Sequence, residues 1–298
     1  MVMADLAVVG HVAIDKVITS TEERTQLGGP PTYISLIAQR RDLDTVAVTK
    51  VGGDLLSGFL GQLRGLGVDL RGQRIEWAKT TRFTLDYRGA ERRLSVESVC
   101  DDIRPEDIRD LPEAVLISPI VGEVPPPTVS ILTEAGFVAL DPQGFVREIH
   151  RDGSVLPKRW LDERLLRRVA VYKSSDEELK LVTGEADPWR GLRRILGMGA
   201  EVAIATKGAH GSLLLTLGGR YRIPAFKEVE VFDPTGAGDA FMGGFLSEYL
   251  RGEDAPWCAA VGGAAASCVV ETIGACINVS TRQLRRRAED IYNGVVKL

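Results

Sequence analysis

A glycine-rich turn, Gly236-Ala237-Gly238, leads directly into Asp239 and an apolar run ending at Leu250. The apolar run predicts a helix that begins beside the turn. Glycines before a helix let successive backbone N–H groups converge on an anion, and the helix dipole adds about half a positive charge there. The turn therefore predicts a cradle for an oxyanion or a phosphate group.

Asp239 lies beside this predicted cradle, where a carboxylate would repel a bound anion. Accepting the proton of a hydroxyl that attacks a phosphoryl group is a chemical reason for a carboxylate in this place. The structural alternative for an isolated Gly-x-Gly-Asp is a helix cap or an acid in the first turn. The longer sequence pattern favours the chemical interpretation.

That longer pattern covers residues 233–244, Asp-Pro-Thr-Gly-Ala-Gly-Asp-Ala-Phe-Met-Gly-Gly. It resembles the C-terminal signature of the ribokinase-like carbohydrate kinases, the phosphofructokinase-B family. The resemblance implies that Asp239 is the catalytic base and that the amides of residues 236–238 hold the transferring phosphate. It also implies ATP as the phosphate donor and Mg²⁺ as the metal ion.

The residues predicted to bind the acceptor come early in the chain. The apolar run at 6–10 predicts a buried strand, and Asp15 follows it. An acid in this position of an α/β fold lies outside the carboxyl ends of the strands, where ligands bind. The resemblance implies that Asp15 binds substrate hydroxyls and that the Gly28-Gly29 turn approaches the substrate closely. The other acceptor-site residues it implies are Thr32, Tyr33, Phe83 and Gln143.

Tyr33 departs from the commonest form of the family, which has Asn at this position. An amide with donor and acceptor groups is thereby exchanged for a larger ring with one hydroxyl. Residues 28–35 look more like the myo-inositol kinases of the family, and a compact cyclitol ring suits packing against Tyr33. The preferred acceptor is therefore myo-inositol, with ketohexoses, ribose and nucleosides as alternatives. Simple packing of Tyr33 in its helix would say nothing about the acceptor.

Two segments are predicted to bind the nucleotide. Residues 174–184 resemble the family's Asn-x-x-Glu element. Ser175 takes the position of the family's Asn, and Glu178 matches the family's Glu. The family implies that Glu178 organises Mg²⁺ through water, and the serine predicts altered metal use. The Thr-Lys-Gly-x-x-Gly turn at 206–211 resembles the family's nucleotide loop. The nucleotide-binding residues implied are Lys173, Ser175, Thr206, Gly208, Gly211 and Ala264.

Short apolar strands alternate with helices along the chain, without an internal repeat or an interdomain linker. Such alternation predicts a mainly parallel sheet with helices on both faces. The resemblance implies one ribokinase-like domain over residues 1–298, an α/β fold built as a three-layer α/β/α sandwich. It also implies a small β-sheet lid from residues of about 12–27 and 80–99.

Three local patterns refine this expectation. Alternating apolar residues at 80–99 predict a half-exposed hairpin with its turn at 88–91, which would be only an edge hairpin without the family context. The charged, amphipathic residues 147–168 predict a solvated helix face. The small residues at 259–266 predict a helix that either leaves a slot for adenine or packs tightly on another helix.

The composition of the chain argues against some classes of binding partner. A net charge of −4 gives no general attraction to nucleic acid or to anionic membranes. No apolar run reaches membrane-spanning length, and Asp5 interrupts the apolar residues of the N-terminus, so we expect a cytoplasmic protein. We expect it to be a monomer or a homodimer. The four cysteines form no Cys-x-x-Cys pair, which predicts reduced, buried thiols.

A nucleotide- or sugar-binding protein without catalysis is the alternative from another class. The first predicted strand lacks Gly-x-Gly-x-x-Gly after it, and the chain contains no Gly-x-x-x-x-Gly-Lys-[Ser/Thr], so neither a dinucleotide site nor a P-loop is predicted. An inactive relative of the kinases would be expected to lose Asp239, which this chain keeps.

Overall fold

Eighteen strands and nine α-helices occur within residues 4–70, 73–89 and 93–298, the residues that the computed structural model describes. The strands are β1 (Leu6–Val9), β2 (Ala13–Ile18), β3 (Glu23–Gly28), β4 (Thr45–Val48), β5 (Lys50–Gly52), β6 (Asp69–Leu70), β7 (Gln73–Ile75), β8 (Thr81–Asp86), β9 (Arg93–Ser98), β10 (Ala114–Ile117), β11 (Phe137–Leu140), β12 (Arg147–Ile149), β13 (Val155–Pro157), β14 (Val171–Ser175), β15 (Val202–Thr206), β16 (Ser212–Thr216), β17 (Gly219–Ile223) and β18 (Val296–Lys297). The helices are α1 (Pro30–Arg40), α2 (Ser57–Gly65), α3 (Pro126–Leu132), α4 (Glu163–Leu166), α5 (Asp176–Thr183), α6 (Pro188–Met198), α7 (Ala237–Tyr249), α8 (Ala255–Val270) and α9 (Thr281–Asn293).

A ten-stranded sheet runs through the centre of the fold, in the order β18-β17-β16-β15-β14-β11-β10-β1-β4-β6. Every neighbouring pair from β15 to β6 is parallel, and β16, β17 and β18 continue the sheet antiparallel. Strands buried on both faces are apolar throughout, as the sequence of β1 and β10 shows. Across the described ranges, no helix has the length and apolarity needed to span a bilayer.

The side chains of β1 alternate between two hydrophobic cores. Leu6 and Val8 belong to one cluster, which α1, α7, α8 and α9 cover. Ala7 and Val9 belong to the other cluster, which α3, α4, α5 and α6 cover. Helices thus lie on both faces of a mainly parallel sheet, and the predicted three-layer α/β/α sandwich is confirmed.

A separate four-stranded sheet, β3-β2-β8-β9, contains strands from both segments that were expected to form the lid. β2 and β8 pair in parallel, so the two segments form one sheet. Phe83 and Leu85 are both 5% exposed and pack with Ala13, Val17 and Ile120. The predicted turn at 88–91 lies partly outside the described residues.

The prediction of a helix face over residues 147–168 was wrong. β12 and β13 form an antiparallel hairpin within this stretch, and α4 contributes only four helical residues after it. Gly153 has a φ of 83° in the turn of the hairpin, a conformation that ends a helix. Charged and apolar residues that suit one face of a helix suit a short exposed hairpin equally well.

The packing of α7 on α8 depends on glycine. An added Cβ on Gly262 would lie 2.7 Å from the carbonyl oxygen of Phe241, and one on Gly244 would lie 2.9 Å from the carbonyl oxygen of Val261. Ala264, which lies in α8 with Gly262, is fully buried. The small residues of α8 therefore serve tight helix packing, and a contact of Ala264 with the nucleotide stays a prediction.

Replacing Gly262 with alanine tests this packing. The new methyl group would meet a backbone oxygen, so we expect Gly262→Ala to lower the free energy of unfolding by about 1–3 kcal/mol. Gly61→Ala in α2 is the matched control, because nothing lies within 4 Å of its added Cβ, and it should stabilise the helix by up to about 1 kcal/mol. Chemical denaturation measures both values, and equal effects would contradict the packing argument.

Candidate active site

Two charged side chains meet where β11 and β14 end. Asp141 directly follows β11, and Lys173 lies in β14. Because these strands are parallel neighbours, their carboxyl ends meet at one edge of the sheet. Nζ of Lys173 lies 2.6 Å from Oδ2 of Asp141, and the side chains are 5% and 1% exposed.

The predicted anion cradle forms the N-terminus of α7. Gly236 is the N-cap residue with a φ of 77°, and an added Cβ there would lie 2.3 Å from the ring of Tyr33. A Cβ on Gly238 would lie 2.8 Å from Nζ of Lys173. The amide of Ala237 donates to the carbonyl of Pro234 at 3.3 Å, whereas first-turn amides of a helix have no acceptor within the helix. The first turn of α7 and the ammonium group of Lys173 are therefore adjacent.

Asp239 is buried in the first turn of α7. Its Oδ1 accepts a hydrogen bond of 3.0 Å from Nε2 of Gln143. Burial and the negative charge of Asp141 raise the pKa of Asp239 to about 7, against the opposing effects of Lys173, Gln143 and Arg147. A carboxyl group with this pKa can accept a proton near neutral pH.

Gln143 is held in one orientation by Arg147. Nη2 of Arg147 donates to Oε1 of Gln143 at 3.1 Å, so the amide nitrogen of Gln143 points to Asp239. Nη1 of Arg147 donates to the carbonyl of Ile120 at 2.8 Å. Gln143 was predicted to bind the acceptor, and this role stays a prediction beside its contact with Asp239. Sequence reasoning missed Arg147, which carries no motif of its own.

Four of the residues predicted to bind the acceptor lie together at the start of α1: Asp15, Gly28, Gly29 and Thr32. An added Cβ on Gly28 would lie 1.9 Å from Oδ2 of Asp15, so the carboxylate lies directly on the glycine backbone. Gly29 is the N-cap residue of α1 with a φ of 85°, and an added Cβ would lie 2.2 Å from the carbonyl oxygen of His11. Oγ1 of Thr32 donates to the carbonyl of Gly28 at 2.8 Å. Thr32 therefore stabilises the turn itself.

Tyr33 connects this turn to the anion cradle. Its side chain is fully buried, with the ring against Gly236. Its hydroxyl has no hydrogen-bond partner among the described residues. Burial, followed by the charges of Asp15, Asp233 and Asp239, raises the pKa of Tyr33 well above its usual value. The Tyr33 hydroxyl is thus an orphaned buried polar group, beside the turn before α1 and the start of α7.

Asp233, at the start of the glycine-rich loop, is tied to the small sheet. Nε2 of Gln26 donates to Oδ2 of Asp233 at 2.8 Å, and Nη2 of Arg24 lies 3.1 Å from the same oxygen. Oδ1 of Asp233 accepts from the amide of Thr235 at 3.0 Å. β3 and the loop before α7 thus share one buried carboxylate, a contact that sequence reasoning missed because 207 positions separate Gln26 from Asp233.

Ser175 and Glu178 form a capping box at the start of α5. The amide of Glu178 donates to Oγ of Ser175 at 3.1 Å, and the amide of Ser175 donates to Oε2 of Glu178 at 2.8 Å. Such reciprocal bonds satisfy two orphan donors of the helix. The serine that replaces the family's Asn therefore has a structural role in this chain.

The predicted nucleotide loop follows β15. Ser175 pairs with Thr206 in the register of β14 and β15, so the two predicted nucleotide segments are adjacent. Gly208 is exposed in a 3₁₀ turn. A Cβ on Gly211 would lie 2.1 Å from the carbonyl oxygen of Ile223, which makes this glycine a structural requirement.

Sequence comparisons show which known proteins this chain is similar to. The profile of the pfkB family of carbohydrate kinases matches residues 3–282. A cytidine kinase from Thermococcus kodakarensis is 30% identical over 270 residues, which are 87% of this chain and 94% of that protein. An inositol 3-kinase from Zea mays is 34% identical over 189 residues, which are 62% of this chain and 47% of that protein.

The fold has a close counterpart among solved structures. A pyrophosphate-dependent kinase in the ribokinase family, complexed with a pyrophosphate analogue and myo-inositol, has a TM-score of 0.77 and 22% identity, and the match covers 96% of this chain and all of that one (100%). The α/β sandwich thus has the ribokinase-like fold. The chain belongs to the pfkB family of carbohydrate kinases. The family assignment made from residues 233–244 is confirmed.

Asp239→Asn should keep the fold and remove most of the phosphoryl transfer. The amide can still accept the hydrogen bond from Gln143 but cannot take a proton, and loss of a general base costs about 10²- to 10⁴-fold in kcat. Steady-state kinetics and thermal unfolding measure the two effects. Asp290→Asn, at an exposed position of α9, is the matched control and should leave both unchanged. Near-normal kcat in Asp239→Asn would remove Asp239 from the mechanism.

The pH dependence of kcat/KM should report the raised pKa of Asp239. The carboxylate is the active form of a base, so activity falls as pH falls through the pKa of the folded enzyme. We expect a plateau above pH 7 and a tenfold loss per pH unit below about 7, instead of below about 4 for an ordinary aspartate. A profile that is flat down to pH 5 would show that Asp239 is not titrating in this range.

Proposed function

We propose that the protein transfers the γ-phosphoryl group of ATP to a hydroxyl of a small polyol, with myo-inositol as the first candidate. The observation that carries the proposal is the position of Tyr33: its buried hydroxyl has no hydrogen-bond partner among the described residues, the charges of Asp15 and Asp239 raise its pKa, and its ring lies against Gly236. This position supports a single site formed by the acceptor turn and the anion cradle.

The reaction is an in-line displacement at phosphorus. Asp239 accepts the proton of the attacking hydroxyl, a bond forms between that oxygen and the γ-phosphorus, and the bond from phosphorus to the β-phosphate oxygen breaks. The amides of Gly236 and Gly238 stabilise charge on the phosphoryl oxygens. Asp15, against the backbone of Gly28, orients the acceptor.

The residues present suit a metal ion that is bound mainly by the nucleotide. Within the described parts of the chain, no three His, Cys, Asp or Glu side chains are arranged to hold a metal ion. Glu178 would hold Mg²⁺ through water, although its Oε2 also accepts the amide of Ser175. Bound Mg²⁺ supplies charge neutralisation on the ATP oxygens. The glycine cradle beside the ammonium of Lys173 fits the phosphates themselves.

Two acceptor classes have specific support. A compact cyclitol suits a site in which a tyrosine ring replaces an amide, and the matched Zea mays protein is an inositol 3-kinase. A nucleoside is the second candidate, because the Thermococcus kodakarensis protein matched over 87% of this chain is a cytidine kinase. Sugars such as ribose and fructose come after both. A cytoplasmic location and a monomeric or homodimeric state stay predictions.

Measurements of kcat/KM with ATP decide the acceptor. We expect myo-inositol to exceed cytidine, ribose and fructose by at least about tenfold, since a site built to bind a set of hydroxyls rejects analogues that lack them. Tyr33→Phe should raise the KM for myo-inositol by about tenfold while the protein becomes no less stable, because a buried unsatisfied hydroxyl costs about 1–3 kcal/mol. The KM for ATP is the internal control. Cytidine as the better acceptor by tenfold or more would reject the cyclitol and keep the kinase.

A further inference from the structure

We infer that His11 is a positioning residue for the acceptor, because its imidazole fixes the small sheet β3-β2-β8-β9 and thereby holds Asp15 at the Gly28-Gly29 turn. The inference rests on the proposed phosphoryl transfer. His11 lies between β1 and β2, and its side chain is fully buried. It belongs to none of the sequence motifs from which the site was predicted.

The segments that connect the small sheet to the rest of the chain meet at His11. The chain enters this sheet before β2 and before β8, and it leaves after β3 and after β9. His11 itself precedes β2, and an added Cβ on Gly29, after β3, would lie 2.2 Å from its carbonyl oxygen. Nδ1 of His11 lies 2.8 Å from Oγ1 of Thr81, the first residue of β8. Nε2 lies 3.1 Å from the carbonyl oxygen of Asp101, after β9.

The hydrogen-bond partners of the imidazole define its protonation state. The carbonyl oxygen of Asp101 can only accept, so Nε2 carries the proton and Nδ1 accepts from the hydroxyl of Thr81. Oγ1 of Thr81 in turn accepts from the amide of Cys100 at 3.0 Å. Burial lowers the pKa of His11 against the opposing effect of Glu123, so the neutral ring predominates at pH 7. A continuous chain of hydrogen bonds therefore joins the start of β8 to the segment after β9.

The backbone around His11 is anchored on the central sheet. The amide of His11 donates to Oε1 of Glu123, in the segment after β10, at 2.8 Å. The amide of Val12 donates to Oγ1 of Thr49, which directly follows β4, at 2.8 Å. With its backbone held by these two segments, the ring is a fixed point from which the small sheet is positioned.

The bond to Thr81 lies at the start of the strand pair that carries two of the predicted acceptor-site residues. Thr81 pairs with Ala13 in the parallel register of β8 and β2. Two residues further along each strand, Phe83 pairs with Asp15. The carboxylate of Asp15 lies directly on the backbone of Gly28. Because paired strands move together, loss of the bond at the start of the pair would shift this carboxylate relative to the turn.

A purely structural histidine is the competing explanation, since buried ring nitrogens are normally hydrogen-bonded in any protein interior. A structural role would lower the melting temperature and leave the KM values of the folded enzyme unchanged. A positioning role changes the kinetics for the acceptor much more than the KM for ATP, because the residues predicted to bind the nucleotide lie outside the small sheet. Kinetics measured well below the melting temperature therefore separate the two roles.

Thr81→Val removes the hydroxyl and nearly keeps the shape of the side chain. We expect kcat/KM for myo-inositol to fall by about tenfold to 10²-fold, because small displacements of positioning groups have effects of this size. If cytidine is the better acceptor of the wild type, the same loss is expected for cytidine. The KM for ATP should stay near the wild-type value.

Thr128→Val in α3 is the matched control. Thr128 and Thr81 are both 0% exposed, and Oγ1 of Thr128 donates to the carbonyl of Ile103 at 2.8 Å. The control loses a buried hydrogen bond outside the small sheet, so it should become less stable and keep the kcat/KM of the wild type. A near-normal kcat/KM for the acceptor in Thr81→Val would overturn the inference.

Two amide variants of His11 serve if Thr81→Val does not fold. In His11→Asn the amide oxygen lies near the position of Nδ1 and can accept from Thr81. In His11→Gln the amide nitrogen lies near the position of Nε2 and can donate to Asp101. We expect His11→Gln to lose about tenfold more kcat/KM for the acceptor than His11→Asn, because only His11→Asn keeps the bond at the start of β8. Equal values in both variants would overturn the inference.

Hydrogen exchange separates this inference from the proposed function, because it needs no acceptor. Backbone amides of β8 and β9 should exchange faster in Thr81→Val than in the wild type, while those of β1 and β10 stay unchanged. If the wild type phosphorylates no acceptor but this difference is seen, the kinase proposal fails and the fixation of the small sheet by His11 stands. If the wild type is an active kinase and exchange in β8 and β9 is unchanged, only the inference fails.

Discussion

The N-terminus of α7 begins at Gly236, where the ring of Tyr33 leaves no space for a side chain, and the other predicted site residues are arranged around it. A Cβ at Gly236 would overlap the ring of Tyr33, and one at Gly238 would crowd the ammonium of Lys173. Behind the helix, the backbone of α7 lies against Gly262 of α8. Side chains of α1 and β14 and the backbone of α8 therefore pack closely around α7. This packing brings the backbone amides of the helix start, the orphaned hydroxyl of Tyr33 and the buried carboxylate of Asp239 close together.

Carboxylates crowd this edge of the sheet, and they are compensated in different ways. Arg24 pairs with Asp233, and Lys173 pairs with Asp141. The hydrogen-bond partner of Asp239 is the neutral amide of Gln143. Burial and the negative charge of Asp141 raise the pKa of Asp239 to about 7. A carboxyl group that stays basic near neutral pH is what a general base requires. The same low-dielectric edge thus contains acids fixed by ion pairs and one acid able to exchange a proton.

Local patterns in the sequence predicted the parts of the site that are built locally. The helix after Gly238 and the turn at Gly28-Gly29 were predicted correctly, because helix starts and glycine turns depend on neighbouring residues. The prediction of a helix over residues 147–168 was wrong, because the turn at Gly153 depends on pairing between β12 and β13. Ser175, which was predicted to bind the nucleotide and to alter metal use, also forms half of a capping box.

The sequence alone determined the alternation of strands and helices, the family, and the identity of the carboxylate beside the cradle, since each follows from periodicity or from a contiguous motif. Only the tertiary structure decided which distant groups meet there: Gln26 bonds to Asp233 across 207 positions, and the Lys173 ammonium lies beside Gly238. Gln26 comes from the small sheet and Lys173 from the central sheet, and both lie beside the segment at the start of α7 only in the folded chain. No local spacing encodes which side chain will face which, so these partners could be identified only from the folded chain.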